Sequence, residues 1–305
     1  MNHVLTGKQF ADKKLLNKIF KRAAELEVLD KKKKLPRLLD GRIVATIFYE
    51  TSTRTRLSFE SGALKLGAGV ISVADSKTSS ASKGESLEDA IKVISGYSDI
   101  VILRHPENGA AEKAAGVSSV PIINAGDGFN EHPTQALYDL YTIKKELGKI
   151  DGLKVAFLSD LRFQRNIHSL IPIFTLFKNL ELYFVGPKEL RLPEIYKNQL
   201  ISAKIKFEEL ETIDEILPNL DVLYVARVFK ERFSDEAEYE RLKKSFFVSP
   251  RTLSRMKKDS IVLHVMPRVF EIDPEVDKDS RAAYFRQAKN GLYVRMALLL
   301  FALGI

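Results

Sequence analysis

Short runs of apolar, often β-branched residues alternate with helical patterns along this chain, and the alternation constrains the fold more than any other feature. The first apolar run covers 42–49, and a helical pattern follows it over 52–66. The same patterns predict strands at 70–74, 99–103, 120–123, 154–158, 181–185, 221–226 and 260–265, and helices at 86–97, 133–147 and 165–177. Strands that alternate with helices form a mostly parallel sheet with helices on both faces.

The alternation runs in two series, one on each side of the predicted helix at 133–147, and this indicates two domains. The chain has 305 residues, which is enough for two compact cores. We therefore predict an α/β fold in which two doubly wound parallel-sheet domains are joined by interdomain helices, with the active site in the cleft. Ligands of such sheets bind beyond the carboxyl ends of the strands, so the residues that follow each strand are the candidates for the site.

Composition excludes several classes of protein. Hydrophobic residues make up 45% of the chain and charged residues 29%, which is typical of neither a disordered nor a fibrous protein. There is no cysteine, so a disulfide framework and a thiolate metal site are excluded. The longest apolar run, 296–305, is too short to span a bilayer, and the first residues lack the apolar core of a signal peptide. We expect a soluble, cytoplasmic protein without membrane contact.

The net charge of +8 raises the question of a polyanionic partner, because lysines crowd the region 8–34. No aromatic residues are interleaved with these lysines to stack on bases, and no nucleic-acid-binding motif accompanies them. We interpret the lysines as a solvated helix end before Pro36 and expect no nucleic-acid partner.

The segment that follows the first predicted strand is rich in anion-binding groups. Glu50 and Thr51 lead into Ser52, Thr53, Arg54, Thr55 and Arg56, at the point where a strand gives way to a helix. A helix N-terminus offers unpaired backbone N–H groups, and the hydroxyl and guanidinium side chains add donors suited to phosphate oxygens. The alternative is a plain N-cap, for which one hydroxyl would suffice. Three hydroxyls and two arginines favour an anion site.

Other predicted strand ends carry similar residues. Arg104 follows the strand at 99–103, His132 and Gln135 lie where the linking helix begins, and Lys83 lies in the polar loop 75–84. Each has an ordinary structural interpretation: Arg104 as the partner of a surface carboxylate, His132 as a cap or a core histidine, and Lys83 as a solvated charge. Taken together with the turn at 52–56, they indicate a site.

This set of segments resembles the aspartate/ornithine carbamoyltransferase family over essentially the whole chain. The turn at 52–56 matches the carbamoyl-phosphate signature of that family. Further matching segments are 83–87, 104–106, 124–128, 132–135, 284–288 and 290–291. The aspartate branch is marked by Arg165 before 167–170, by Arg227, by 230–232 and by 267–268. The ornithine branch would show a cysteine in the last of these segments, and this chain has none.

The resemblance implies a domain arrangement and a reaction. A carbamoyl-phosphate-binding domain would cover 1–133, with the C-terminal helix 286–305 packed on it, and an aspartate-binding domain would cover 148–285. The reaction would transfer the carbamoyl group of carbamoyl phosphate to the α-amine of L-aspartate, giving N-carbamoyl-L-aspartate and phosphate, an early step of de novo pyrimidine biosynthesis. It would need no metal and no organic cofactor.

The resemblance also implies roles for individual residues. The phosphate would be held by Ser52, Thr53, Arg54 and Thr55. Thr55, Arg104 and His132 would point at the carbonyl oxygen, so that the catalytic set is Arg54, Thr55, Arg104 and His132. Gln135 and the backbone at Met266 and Pro267 would accept from the carbamoyl amino group. Aspartate would be bound by Arg165, Arg227 and Lys83.

In the family, Ser79 and Lys83 enter the active site of the neighbouring subunit. The resemblance therefore implies a homotrimer with shared active sites. A regulatory chain is a further possible partner. The polar loop 75–84 is consistent with such a reach.

The chain departs from the family pattern on the second-substrate side. Gln164 and Asn166 stand where glycine and threonine flank the first aspartate-binding arginine. Phe229 stands where the family has a glutamine, Val265 replaces a proline, and Phe270 replaces an aspartate. Three interpretations remain open: an enzyme that carbamoylates aspartate, a carbamoyltransferase for a different amine, and a non-catalytic, anion-binding trimeric partner.

Overall fold

The computed structural model describes residues 2–228 and 235–305, without the side chains of Thr78, Glu238 and Lys244. The chain forms two compact units. Unit 1 comprises Met1–Tyr138, His168–Ile173 and Lys289–Ile305, and unit 2 comprises Asp139–Ile167 and Phe174–Ala288. The last part of the C-terminal helix therefore belongs to unit 1.

Each unit is built on one sheet, and every strand pairing within the two sheets is parallel. The strands of unit 1 are β1 (Ile43–Phe48), β2 (Gly69–Val73), β3 (Ile100–His105) and β4 (Ile122–Asp127). Those of unit 2 are β5 (Lys154–Leu158), β6 (Glu181–Val185), β7 (Lys206–Leu210), β8 (Val222–Val225) and β9 (Ile261–His264). The spatial orders are β2-β1-β3-β4 and β7-β6-β5-β8-β9.

The strand order reverses once in each sheet, between β1 and β3 in unit 1 and between β5 and β8 in unit 2. At such a switch point, the connections that follow the two central strands leave toward opposite faces of the sheet and open a crevice for ligands. The segments that follow β1, β3, β5 and β8 are therefore the ones placed to form a site.

Helices connect the strands and cover the sheets. The α-helices are α1 (Lys13–Lys31), α2 (Thr53–Lys65), α3 (Leu87–Ser95), α4 (Ala110–Val117), α5 (Pro133–Leu147), α6 (Arg165–Phe174), α7 (Glu194–Ser202), α8 (Glu236–Lys243), α9 (Pro250–Ser254) and α10 (Tyr284–Ala302). Short 3-10 helices cover Gly7–Phe10, Ser76–Thr78, Ser80–Lys83, Lys188–Leu190, Leu217–Asn219, Lys244–Phe246 and Pro274–Lys278. In the part of the chain that the structure describes, no helix combines the length and hydrophobicity needed to cross a bilayer.

The predicted fold class is confirmed, and each strand and helix predicted from the patterns is present. The strands at 154–158 and 181–185 and the helix at 133–147 have the predicted bounds, and the ends of the others are shifted. β4 runs four residues beyond the predicted strand, through Asn124 to Asp127, residue types that are uncommon in strands. Its extension is stabilised by the side chain of Asn124, which donates to the carbonyl of Leu5 at 2.9 Å and to Asp127 Oδ1 at 3.0 Å. The apolar-run pattern did not predict β7, because this edge strand is rich in charged residues.

The central strands are buried on both faces, as expected for parallel strands covered by helices. β3 is buried at every position. The core of unit 1 on one side of its sheet is formed by residues such as Ile47, Ile91, Val101 and Leu103, and that of unit 2 is a larger cluster around Leu158, Val225 and Phe246. The crevice-side residues are thus mounted on rigid, buried strands.

Candidate active site

The turn between β1 and α2 lies at the switch point of unit 1. Ser52 occupies the N-cap position of α2 in an extended conformation, with φ of −158°, but its side chain makes no capping hydrogen bond. The plain N-cap interpretation therefore does not account for this hydroxyl. Thr53 and Arg54 are exposed and Thr55 is buried, all in the first turn of α2. This turn combines helix N–H groups, hydroxyls and a guanidinium in one place, which is the donor set that a phosphate needs.

The second arginine of the turn has a structural role. Arg56 Nη1 contacts Glu60 Oε1 and Ser72 Oγ, both at 3.3 Å. Glu60 Oε1 also accepts from the hydroxyls of Thr46 at 2.9 Å and Ser72 at 2.7 Å. Arg56 therefore ties α2 to β2 directly and to β1 through Glu60, whereas Arg54 is exposed in the first turn of α2.

The same turn is supported by contacts of Ser58 that were not predicted from the sequence. Ser58 Oγ lies 2.7 Å from the carbonyl oxygen of Arg54 and 3.0 Å from that of Thr55. Arg295 of α10 donates to Ser58 Oγ at 2.5 Å, and its guanidinium lies over the rings of Phe59 and Tyr138. The chain offered no local signal for this contact, because Ser58 and Arg295 are 237 positions apart.

Arg104 is the next-to-last residue of β3, beside the end of β1. It is buried, and its Nη2 lies 3.2 Å from Glu50 Oε1 while Nη1 donates to the carbonyl of Ala125 at 3.2 Å. Arg104 thus pairs with a carboxylate, that of Glu50, as its ordinary structural interpretation predicts. The same contacts hold the guanidinium at the switch point.

His132 lies immediately before α5 and is buried. Its backbone N–H donates to Ser169 Oγ at 2.8 Å, and Ser169 also donates to Glu131. Glu131 Oε2 accepts in addition from the backbone N–H of Gly7 at 3.0 Å. A side chain at Gly7 is excluded, because a Cβ there would lie 2.0 Å from the carbonyl oxygen of Ser169.

Burial raises the pKa of Glu131 from its ordinary value of 4.5 to about 7. The hydrogen bonds from Ser169 and Gly7 oppose this shift, since they stabilise the carboxylate. A group that titrates near neutrality therefore lies next to His132 in the sequence.

Gln135 is buried in the first turn of α5 and accepts a hydrogen bond from the hydroxyl of Tyr138. Ser79 and Lys83 lie in the segment 76–83, which is formed by two short 3-10 helices. Ser79 is half-buried and its hydroxyl donates to the carbonyl of Ser76 at 2.8 Å, whereas Lys83 is exposed.

The two predicted aspartate-binding arginines lie at the switch point of unit 2. Arg165 is the first residue of α6, after β5, and Arg227 follows β8 by two residues; both are half-buried. Gln164 and Asn166, which flank Arg165 and depart from the family pattern, are buried. They are hydrogen-bonded to β8 or to the segment that directly follows it, referred to together as the β8 segment. Phe229, another departure, lies outside the described residues.

The loop after β9 carries Met266 and Pro267, which are joined by a cis peptide bond. The backbone N–H of Met266 donates to His264 Nδ1 at 2.8 Å. Glu271 Oε2 accepts from the backbone N–H groups of Val269 at 2.7 Å and Phe270 at 3.2 Å. The loop is thus held by local bonds although Val265 replaces a proline.

The departure at Phe270 is explained by packing. Its ring makes an edge-to-face contact with Tyr239, with centroids 6.5 Å apart, and Lys243 Nζ lies 5.6 Å from its centroid.

As for metals, no group of three or more His, Asp or Glu side chains able to hold an ion occurs among the residues that the structure describes.

Two family models together match nearly the whole chain. The family model of the aspartate/ornithine carbamoyltransferase carbamoyl-P binding domain matches residues 2–145, and that of the Asp/Orn binding domain matches residues 151–302. The aspartate carbamoyltransferase catalytic subunit of Methanocaldococcus jannaschii is 50% identical over 299 residues, which are 98% of this chain and 97% of the relative. The chloroplastic aspartate carbamoyltransferase of Arabidopsis thaliana is 46% identical over 98% of this chain and 77% of the relative.

Two solved structures are similar over nearly the full length. The catalytic subunit of M. jannaschii aspartate transcarbamoylase matches with a TM-score of 0.91, over 98% of this chain and 97% of that chain. Aspartate transcarbamoylase from Trypanosoma cruzi, in complex with carbamoyl phosphate and aspartate, matches with a TM-score of 0.92 at 34% identity, over 98% of this chain and 95% of that chain. The chain therefore belongs to the aspartate/ornithine carbamoyltransferase family, within its aspartate carbamoyltransferase catalytic subunits.

Proposed function

We propose that the chain transfers the carbamoyl group of carbamoyl phosphate to the α-amine of L-aspartate, giving N-carbamoyl-L-aspartate and phosphate. One observation carries the proposal: each switch point holds the groups that one of the two substrates requires. Unit 1 presents the turn at Ser52–Thr55 together with Arg104, and unit 2 presents Arg165 and Arg227. The relatives that are 46–50% identical carry the corresponding name, and the product would serve de novo pyrimidine biosynthesis.

Carbamoyl phosphate binding is the task of unit 1. The phosphate accepts from the N–H groups of the first turn of α2, from the hydroxyls of Ser52, Thr53 and Thr55, and from Arg54. The helix N-terminus contributes a partial positive charge, and the guanidinium contributes a planar pair of donors. A doubly negative group is thus held by several donors and by positive charge.

Catalysis follows from charge that develops on the carbonyl oxygen. The amine nitrogen of aspartate attacks the carbonyl carbon, a tetrahedral oxyanion forms, and the bond between this carbon and the phosphate oxygen breaks. Thr55, Arg104 and His132 stabilise the oxyanion, and loss of one such donor typically raises the barrier by about 2.7–4 kcal/mol. The amine gives up one proton in the reaction, and the departing phosphate is placed to accept it. Neither a covalent intermediate nor a cofactor is needed, since positioning and electrostatics account for the step.

Recognition of aspartate requires two cations for two carboxylates. Arg165 and Arg227 provide one guanidinium each, and Lys83 adds a third positive charge. Gln135 and the backbone at Met266 and Pro267 orient the carbamoyl group by accepting from its amino group. Arg165 and Gln135 lie in the first turns of helices, and Arg227, Met266 and Pro267 follow strands, so their positions are set by the sheets. Lys83 instead ends a short 3-10 helix.

The identity of the product tests the proposal. Purified protein is incubated with carbamoyl phosphate and, separately, with L-aspartate, L-glutamate, L-ornithine and β-alanine, and ureido products are identified by mass spectrometry. We expect saturable formation of N-carbamoyl-L-aspartate. Activity with another amine alone would reassign the second substrate. Binding of carbamoyl phosphate without turnover of any amine would support the non-catalytic interpretation instead.

We further propose a homotrimer in which Ser79 and Lys83 complete the site of a neighbouring subunit. Lys83 is exposed on the segment 76–83, which is consistent with such a reach. Mixing of Arg54→Ala and Lys83→Ala proteins, each nearly inactive, tests the sharing of sites. In a cyclic trimer each hybrid contains one site free of both substitutions, so activity returns on mixing if sites are shared. Activity that stays at the level of the parents would place each site within one chain.

We also propose a cytoplasmic location, with which the absence of cysteine is compatible. Fractionation of cells that express the tagged chain tests this: recovery with the cytosolic marker is expected, and recovery with an organelle or membrane fraction would contradict it.

A further inference from the structure

The two residues that flank Arg165 are buried amides. Gln164 is 3% exposed and Asn166 is 4% exposed. A buried amide is costly unless it is hydrogen-bonded, so the partners of these two side chains define their role. Both partners belong to β8 or to the segment that directly follows it.

Gln164 is bonded to the main chain of the other arginine. Its Nε2 donates to the carbonyl oxygen of Arg227 at 3.0 Å. The residue before one predicted carboxylate-binding arginine thus fixes the backbone of the second one.

Asn166 makes the companion bond. Its Nδ2 donates to the hydroxyl of Tyr224 at 2.6 Å, and that hydroxyl donates to Asp139 Oδ2 at 2.6 Å. Tyr224 is fully buried in β8, three residues before Arg227. The two bonds therefore connect the start of α6 to the β8 segment at two points, and Arg165 lies between them.

The same network continues to the loop after β9. Gln287 Nε2 donates to Asp139 Oδ1 at 2.7 Å, and Gln287 Oε1 accepts from the backbone N–H of His264 at 2.9 Å. His264 Nδ1 in turn accepts from the backbone N–H of Met266 at 2.8 Å. A buried chain of hydrogen bonds within unit 2 thus runs from the residue after Arg165 to the residue whose backbone is proposed to hold the carbamoyl group.

We propose that Gln164 and Asn166 are positioning residues that set the spacing and orientation of Arg165 and Arg227, and so select a dicarboxylate of aspartate's length. This inference rests on the proposed function. It assigns the two departures from the family pattern to bonds within the chain, and it removes them as evidence for a different amine. Two guanidiniums on a fixed frame discriminate between dicarboxylates by the separation of the carboxylates, whereas loosely held ones do not.

The test combines aspartate kinetics with a series of dicarboxylate inhibitors. Malonate, succinate and glutarate differ by one methylene each, and succinate has the carbon skeleton of aspartate. For Gln164→Met and Asn166→Ala we expect the Michaelis constant for aspartate to rise by about tenfold or more. The preference for succinate over malonate and glutarate should fall. The Michaelis constant for carbamoyl phosphate should change by less than about threefold, because the residues proposed to bind its phosphate lie in unit 1. Asn198→Ala, an exposed amide on α7 of the same unit, is the matched control.

A double-mutant cycle isolates the bond between Asn166 and Tyr224. Tyr224→Phe removes a single oxygen atom, which makes it the variant to use if Asn166→Ala does not fold. If the bond acts as a unit, the double variant is no worse for aspartate than the more impaired single variant. Additive effects on the aspartate Michaelis constant, or an unchanged succinate preference in folded variants, would overturn the inference. Failure of the unmodified chain to form carbamoylaspartate would instead overturn the proposed function.

Discussion

The backbone N–H of His132 donates a 2.8 Å hydrogen bond to the hydroxyl of Ser169, a residue 37 positions further along the chain. Ser169 has one hydroxyl proton and directs it to Glu131, so its lone pairs are turned toward His132. The main chain at the residue assigned to the carbonyl oxygen is thus held by a hydroxyl from α6. We therefore expect Ser169 to hold His132 in position, although Ser169 contacts no substrate in the proposed mechanism.

Ser169→Ala removes that acceptor and leaves the buried N–H of His132 without it. We expect kcat to fall by roughly tenfold, because a displaced His132 stabilises the oxyanion less well. The free energy of unfolding should decrease by about 1–3 kcal/mol, the usual consequence of losing the partner of a buried donor. Steady-state rates and urea unfolding measure the two effects. Ser202→Ala, an exposed serine at the end of α7, should change neither, and a normal kcat for Ser169→Ala would remove Ser169 from this role.

The carboxyl of Glu131 predicts a distinctive dependence of stability on pH. Its pKa is raised by burial from 4.5 to about 7, so the folded state binds this proton more tightly than the unfolded state. Relative to Glu131→Gln, the unmodified chain should therefore lose stability as pH rises from 4.5 to about 7, and the difference should be constant above that range. A shift of this size corresponds to roughly 3 kcal/mol at most.

Urea unfolding of both proteins at several pH values measures this difference. The glutamine keeps an oxygen for Gly7 and Ser169, so the comparison isolates the titration. Parallel stability curves for the two proteins between pH 5 and 8 would show that Glu131 is already ionised at pH 5.

The support of the phosphate turn by Ser58 is open to a similar test. Its hydroxyl lies within hydrogen-bonding distance of the carbonyl oxygens of Arg54 and Thr55 and accepts from Arg295. Ser58→Ala should raise the Michaelis constant for carbamoyl phosphate by about tenfold and leave that for aspartate within about threefold. Ser98→Ala is the matched control. The hydroxyl of Ser98, which follows α3, donates to the carbonyl oxygen of Ile94, four residues earlier, at 3.0 Å, just as Ser58 does to that of Arg54. Equal effects of the two substitutions would mean that Ser58 has no special connection with the phosphate turn.

The fold and the positions of the candidate site followed from local sequence patterns. Apolar runs and turn residues identified the central strands, and the groups that follow β1, β3, β5 and β8 lie at the switch points because parallel sheets impose that geometry. The resemblance to a family then supplied roles for individual residues, such as Arg54 and Arg165. These roles remain proposals that the kinetic experiments test.

The supporting contacts could not be predicted in the same way. Ser58 and Arg295, His132 and Ser169, and Asn166 and Tyr224 are pairs from distant segments, and nothing in either segment identifies the other. From the sequence, Gln164 and Asn166 could be described only as departures from the family's glycine and threonine, because their hydrogen-bond partners are distant in the chain. In the structure each is buried with a partner, which gives the departures a structural cause.

Kinetics of Arg54 and Arg165 variants test directly whether the two units bind different substrates. Initial rates of N-carbamoyl-L-aspartate formation are measured while each substrate is varied, for the unmodified chain, Arg54→Ala, Arg165→Ala and the control Arg22→Ala on α1. We predict that Arg54→Ala lowers turnover by at least about 100-fold and impairs carbamoyl phosphate saturation. We predict that Arg165→Ala raises the aspartate Michaelis constant by about 10- to 100-fold with carbamoyl phosphate binding retained. Near-normal kinetics for either variant in a folded protein would contradict this division of substrate binding.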